Sequence, residues 1–201
     1  MMNSSGLARQ EIATAILAGG ASRRLGGVDK GLQTLLGRPL IEWVVDSLAR
    51  SEGAERLIVA NRNAPIYSRY GRVIADQEPD YPGPLAGIAA ALAATRSPWL
   101  FTVPVDCPMP PPGLLDCLGR QACLHECDSL VAHDGVRRQP LFALYRSSLS
   151  GSAAQALRSG LGASAWQDAI GTREILFPSD PEHWANLNTA LDFEAFADKR
   201  A

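Results

Sequence analysis

Lysine is nearly missing from this chain. Of its 19 basic residues, 17 are arginine, and the two lysines are Lys30 and Lys199. Where arginine serves as the generic surface cation, the one lysine inside the body of the chain asks for a local reason, with compositional chance as the plain alternative. Lys199, in the C-terminal tail, reads as a solvated residue. Charge of one sign is also missing: a net charge of −2 with 20% charged residues argues against a protein that coats nucleic acid, and 46% apolar content argues against disorder. No apolar run approaches the roughly 20 residues of a membrane helix. The start, MMNSSGLARQE, has no signal-peptide core, so a cytoplasmic protein with neither nucleic acid nor membrane as partner is expected. Cys107, Cys117, Cys123 and Cys127 include no C-x-x-C pair, and their irregular spacing around His125 favours reduced thiols over disulfides or zinc. The first glycine loop matches neither the P-loop nor the dinucleotide fingerprint, and no G-x-S-x-G hydrolase elbow occurs.

What is present reads as alternating strands and helices. The run Ile12 to Leu17 predicts a strand that enters the glycine-rich loop AGGASRRLGGVDKG. RPLIEWVVDSLAR predicts a helix with Pro39 in its first turn and Leu40, Ile41, Val44, Val45 and Leu48 on one face. Short strands follow at Arg56 to Ala60 and Arg72 to Ala75. An Ala-rich helix begins at Pro84, and a buried strand, WLFTVPV, runs into Asp106. A short helix over PPGLLDCLGR comes next. SLVAH and PLFALYR then read as strands about a charged turn, where the sheet gains an antiparallel piece. Two helices around Ala153 to Leu157 and Ala165 to Ile170, a strand REILF, the segment WANLNT and an amphipathic helix complete the chain. The pattern predicts one α/β domain over residues 1–201, with a core of about 12–196 and flexible ends at 1–10 and 198–201. It would be a three-layer, Rossmann-like fold with a mainly parallel twisted sheet, helices on both faces, and its ligand at the carboxyl ends of the strands.

Chemistry gathers at that edge. Leu17, Ala18, Gly19 and Gly20 follow the first strand, where glycines allow backbone N–H groups to meet anionic oxygens; a tight strand-to-helix turn is the alternative. Arg23, Arg24 and Lys30 place three cations in the same loop, as a triphosphate and a departing pyrophosphate require, although an exposed basic loop would look the same. Asp106 ends the most hydrophobic strand, where a carboxylate can hold Mg²⁺ or simply cap a turn. Asp76 also follows a strand and either reaches a nucleotide or fixes the turn before PGPLAG. Asn186 and Asn188 alternate, so in an extended segment both amides face one side. They either hold a polar second substrate or serve the start of the last helix, where Thr189 and Asp192 resemble a capping box.

Taken in order, LAGGASRRLGGVDKGL, GRPLIEWV, VIADQEPDYPGPLAG, VPVDCPM, RRQPLFALY and WANLNT resemble the molybdenum cofactor guanylyltransferase family of the nucleotidyltransferase superfamily, over about Ile12 to Phe196. The resemblance implies transfer of GMP from GTP to the terminal phosphate of molybdopterin that carries molybdenum, with pyrophosphate released. It places the nucleotide loop on Leu17, Ala18, Gly19 and Gly20, the phosphate-binding lysine on Lys30 and the Mg²⁺ ligand on Asp106. Asp76, Asn61 and Gly83 fall on the nucleotide side, and Asn186 and Asn188 on the pterin side with Gln139 and Pro140 near them. Arg23 and Arg24 would join Lys30 in neutralising the pyrophosphate. The family often has Thr where this chain has Cys107, which questions a hydroxyl beside the metal. Other cofactor-synthesis proteins and apo-molybdoenzymes are the implied partners. A CTP-using relative and a non-catalytic cofactor carrier are the alternatives; the intact glycine loop, Lys30 and Asp106 argue against the carrier.

Overall fold

A computed structural model of the chain describes residues 6–19, 29–49, 53–76 and 83–200. In chain order its strands are β1 (Ile12–Leu17), the short pair β2 (Thr34–Leu35) and β3 (Arg38–Pro39), β4 (Glu55–Val59), β5 (Arg72–Ile74) and β6 (Trp99–Pro104). They continue with β7 (Ser129–His133), β8 (Arg138–Arg146) and β9 (Arg173–Leu176). The helices are α1 (Leu40–Leu48), α2 (Ala64–Tyr67), α3 (Pro84–Ala94), α4 (Leu114–His125), α5 (Ser150–Arg158), α6 (Ala163–Ala169) and α7 (Ala190–Asp198).

Every residue of β1 is buried. Its period-two alternation sends Ile12 and Ile16 to one core and Ala13, Ala15 and Leu17 to the other. Burial on both faces is what a central parallel strand requires. The sheet order is β5-β4-β1-β6-β8-β7-β9. Only β8 runs against its neighbours β6 and β7; the other pairings are parallel. On one face Ile41 and Val44 of α1 and Leu115 and Leu118 of α4 meet Ile16, Ile58 and Phe101. On the other, α3, α5 and α6 contribute Leu85, Ile88, Leu92, Ala153 and Trp166 against Leu57, Val59 and Leu100. The expected three layers are therefore present. No helix among the described residues is long and apolar enough to cross a membrane.

Four local expectations need correction. Pro39 stands one residue before α1, in extended backbone and paired with Thr34 across β2 and β3, so the hairpin rather than the helix uses its fixed φ. The helix expected over PPGLLDCLGR runs on to His125. Leu114, Leu115, Leu118 and Ala122 keep one face buried, and Glu126, left-handed at φ 51°, ends it. Lys199 is exposed as expected but not unpaired: with Arg200 it pairs to Glu182 at 3.0 and 2.9 Å. At the other end Leu7 N–H donates to the Gly119 carbonyl and Arg9 pairs with Asp116 at 2.9 Å, so both ends are tethered where described.

The register sets the functional edge. Leu17 lies opposite both Val59 and Pro104, so β1, β4 and β6 end level with one another. Ala18 N–H donates to the Val59 carbonyl and Val105 N–H to the Leu17 carbonyl, which carries the ladder one step past the strands. Ile41, fully buried on α1, measures how firmly that layer is anchored. Ile41→Ala is expected to cost about 2–5 kcal/mol, seen as a lower urea midpoint at unchanged m-value. A loss below about 1 kcal/mol would show that α1 does not hold the sheet.

Candidate active site

Lys30 and Asp106, 76 residues apart, meet at this edge: Lys30 Nζ lies 2.7 Å from Asp106 Oδ2. Each side chain keeps only about a fifth of its surface exposed, 17% and 21% respectively. The ammonium also donates to Asn188 Oδ1 at 2.5 Å. Asp106 Oδ1 is buried and has no hydrogen-bond partner among the described residues. A buried carboxylate oxygen left without a partner is costly unless something outside the protein meets it.

The Asn-rich segment is fixed from both ends. Leu187, 2% exposed, packs with Leu35, Leu40 and Phe196, and its N–H donates to the Asp106 carbonyl at 2.8 Å. On the far side the Asp192 carboxylate accepts from the N–H groups of Asn188 and Thr189 at 2.8 and 2.7 Å, while Thr189 Oγ1 accepts from Asp192 N–H. The capping box of α7 is thus real, and it also delivers Asn188 to Lys30. The two asparagines, whose alternation predicts amides on one side, have different surroundings. Asn188 meets the lysine, whereas Asn186 lines a cavity of about 340 Å³ with Pro104, Arg137, Gln139, Pro140 and Phe142. Asn186 Oδ1 is buried without a partner. Gln139 is held there by Asp134, whose Oδ2 accepts from Gln139 Nε2 at 2.6 Å while Oδ1 accepts from the N–H groups of Val136 and Arg137.

On the opposite side of the ion pair, Asn61 Nδ2 donates to Asp76 Oδ1 at 2.7 Å and Asn61 Oδ1 accepts from Asp76 N–H at 2.9 Å. This closed pair joins the ends of β4 and β5. A Cβ on Gly19 would stand 3.6 Å from Asp76 Oδ2 and 3.5 Å from the Val59 carbonyl, so the glycine keeps this corner open. Gly83 precedes α3 with an extended backbone, and a Cβ there would meet nothing within 4 Å. Three strand spacings separate β5 from β6, about 14 Å, so Asp76 and Asp106 mark two ends of one elongated site. Gly20, Arg23 and Arg24 lie outside the described residues.

Cys107 is fully buried, and its thiol donates to the His183 carbonyl at 3.2 Å. Burial, with Asp106 adding to it, pushes the thiol pKa far up, so the group stays protonated and serves the fold. Four residues around Lys30 had no expected role. Asp29 accepts from Tyr67 Oη and, at 2.8 Å, from Asn63 Nδ2. Gly31 packs on Tyr67 and Val105. The DKG spelling marked Asp29 and Gly31, and the i,i+4 spacing of Asn63 and Tyr67 was the available sign of a shared helix face. No cluster of three or more His, Cys, Asp or Glu suited to a metal occurs among the described residues.

The family model for the MobA-like NTP transferase domain matches residues 14–173. A molybdenum cofactor guanylyltransferase of Vibrio cholerae is 40% identical over 90% of this chain and 89% of its own length. That of Mannheimia succiniciproducens is 37% identical over 92% and 97% respectively. Among solved structures, the molybdopterin-guanine dinucleotide biosynthesis protein A of Archaeoglobus fulgidus superposes with a TM-score of 0.75 at 24% identity, covering 94% of this chain and 98% of its own. A 2-C-methyl-D-erythritol 4-phosphate cytidylyltransferase of Thermus thermophilus gives 0.70 at 19% identity, covering 95% and 100%. At these identities the solved structures speak for the fold.

The N–H groups of Asn188 and Thr189, followed by the Thr189 hydroxyl and the charge of Lys30, hold the Asp192 carboxyl below its ordinary value of 3.8. A depressed native pKa gives stability that is present above the ordinary value and lost as pH falls through the lower native one. Asp192→Ala is therefore expected to lower stability by about 0.5–2 kcal/mol at neutral pH. The difference in thermal midpoint from wild type should shrink steadily as pH drops below about 4. A constant difference from pH 7 to 3 would show that the charge plays no part in the cap.

Proposed function

Since the chain belongs to the MobA-like NTP transferase family, we propose that it transfers GMP from GTP to the terminal phosphate of molybdenum-bearing molybdopterin and releases pyrophosphate. The observation that carries this reading is the Lys30–Asp106 pair, which stands along the sheet edge between the Asn61–Asp76 corner and a separate cavity. GTP would lie from Asp76, Asn61 and Gly19 to Lys30, with Ala18 and Gly83 leaving its path free of side-chain bulk. The acceptor would enter the cavity, where Asn186 Oδ1 and the Gln139 amide face a polar ring system. A volume of about 340 Å³ suits a small molecule of this kind.

The attacking group is a phosphate monoester, already anionic near neutral pH, so the site needs no strong base. Its demands are alignment and cancellation of charge on the leaving pyrophosphate. Lys30 supplies the second: its flexible stem lets the ammonium leave Asp106 for the phosphates. Asn188, fixed by Asp192, keeps that ammonium near the edge. Arg23 and Arg24 are proposed to add charge on the same side.

Asp106 also fits a divalent cation. Its Oδ1 is a hard oxygen donor, buried and without a partner among the described residues. Mg²⁺ commonly takes one or two carboxylates and fills the remaining positions with water and substrate phosphates, so the absence of a larger ligand cluster among the described residues is consistent with it. When bound there, Mg²⁺ supplies charge neutralisation across phosphate oxygens.

Asp106→Ala is expected to reduce pyrophosphate release with GTP and pterin acceptor by at least about 10²-fold while leaving the circular-dichroism spectrum unchanged. Retained turnover at saturating Mg²⁺ would remove Asp106 from the mechanism. Lys30→Ala should fall by a similar factor. In wild type GTP should outrun CTP, and equal rates would refute the guanylyl assignment.

A further inference from the structure

We infer that Asp29, clasped by Tyr67 and Asn63, is the positioning residue that sets where the Lys30 ammonium stands. The inference deepens the proposed function and rests on Lys30 acting in the transfer. Lys30 opens a one-turn 3-10 helix over Lys30–Leu32, too short to hold its own direction. The preceding residue, Asp29, has both carboxylate oxygens taken: Oδ1 by the Tyr67 hydroxyl and Oδ2 by Asn63 Nδ2 at 2.8 Å. Both donors come from α2 and the residue before it. Asn63 is left-handed at φ 55°, a conformation that asparagine tolerates better than most residues. Tyr67 is fully buried. Such a hydroxyl must find an acceptor, and a carboxylate is a strong one.

Gly31 removes the remaining freedom on the other side of Lys30. A Cβ there would overlap the Tyr67 hydroxyl and stand 3.0 Å from Val105 Cγ2. Gly31, the residue after the lysine, thus sits against both Tyr67 and Val105, whose neighbour is Asp106. Asp29 is held to the same tyrosine on which Gly31 rests, so one phenol touches both flanks of Lys30, and Gly31 in turn rests on the residue before its partner. A purely structural tether would need no such registration with Asp106.

Tyr67→Phe removes the hydroxyl and keeps the ring. Its kcat for GMP transfer is expected to fall about tenfold with KM for GTP within twofold, because a misplaced ammonium weakens the transition state more than the bound ground state. In a Lys30→Ala background the same change should leave kcat where Lys30→Ala alone puts it, since the two act as one unit. Asn63→Gly removes the amide while preserving the left-handed backbone, and carries the same test should Tyr67→Phe fail to fold. Wild-type turnover in folded Tyr67→Phe, with Lys30→Ala crippled, would overturn the clasp alone. A full tenfold loss that persists in the Lys30→Ala background would overturn it also, by showing that Tyr67 acts without Lys30. Normal turnover in Lys30→Ala would bring down the role of Lys30 first, and the inference with it.

Discussion

The Lys30–Asp106 ion pair draws on nearly every part of the fold. Its members come from loops 76 residues apart, and neither loop has regular structure long enough to place a charge by itself. Asp106 is placed because β6 ends level with β1, because Leu187 donates to its carbonyl, and because Cys107 ties the next residue to the turn at His183. Lys30 is placed by its neighbours Asp29 and Gly31. A half-buried pair of this kind contributes modestly as a pair, but either charge left alone would be costly. An anionic ligand that draws Lys30 away must therefore come with positive charge of its own, as a nucleotide accompanied by a cation does.

The reversed strand explains why the edge beyond Asp106 differs from the edge beyond Asp76. In a wholly parallel sheet every strand would bring its carboxyl end to the site, and the loops after β1, β4, β5 and β6 do so here. Because β8 runs antiparallel to β6, its first residues reach that edge instead. Gln139 and Pro140 thus arrive beside Pro104, and the cavity lies between the ends of β6 and β8, on the side of β6 away from β5. The charged turn before β8 matters for the same reason. Asp134 gathers the N–H groups of Val136 and Arg137 and the Gln139 amide, which fixes the entry to the cavity before the strand begins.

How much of this was legible depended on how local the cause was. The strand of Ile12 to Leu17 and the stripe of α1 follow from periodicity, a property of consecutive residues, and both stand where the pattern puts them. Lys30 was visible through scarcity, and Asp106 through its place at the end of an apolar run. Of the two readings of WANLNT, the one the structure bears out is the cap: Asp192 caps the helix and, by the same carboxylate, presents Asn188 to Lys30. The clasp on Asp29 was hidden for a different reason. Its partners lie 34 and 38 residues away, and nothing local links an aspartate in a glycine loop to a tyrosine in a one-turn helix. Pro39 was misread because a proline before an apolar stripe suits a first helical turn as well as the end of a hairpin.

The scarcity of lysine now has a physical reading. Arginine would offer Asp106 a planar fork, and the fork fits both oxygens of a carboxylate at once. Oδ1, the oxygen proposed to meet a divalent cation, would then be occupied. A lysine ammonium takes Oδ2 alone and turns its remaining donors elsewhere, one of them to Asn188. It can also leave without breaking two coupled bonds. In a chain that uses arginine for 17 of 19 cations, one of the two exceptions falls where a point charge on a flexible stem does what a rigid fork would prevent.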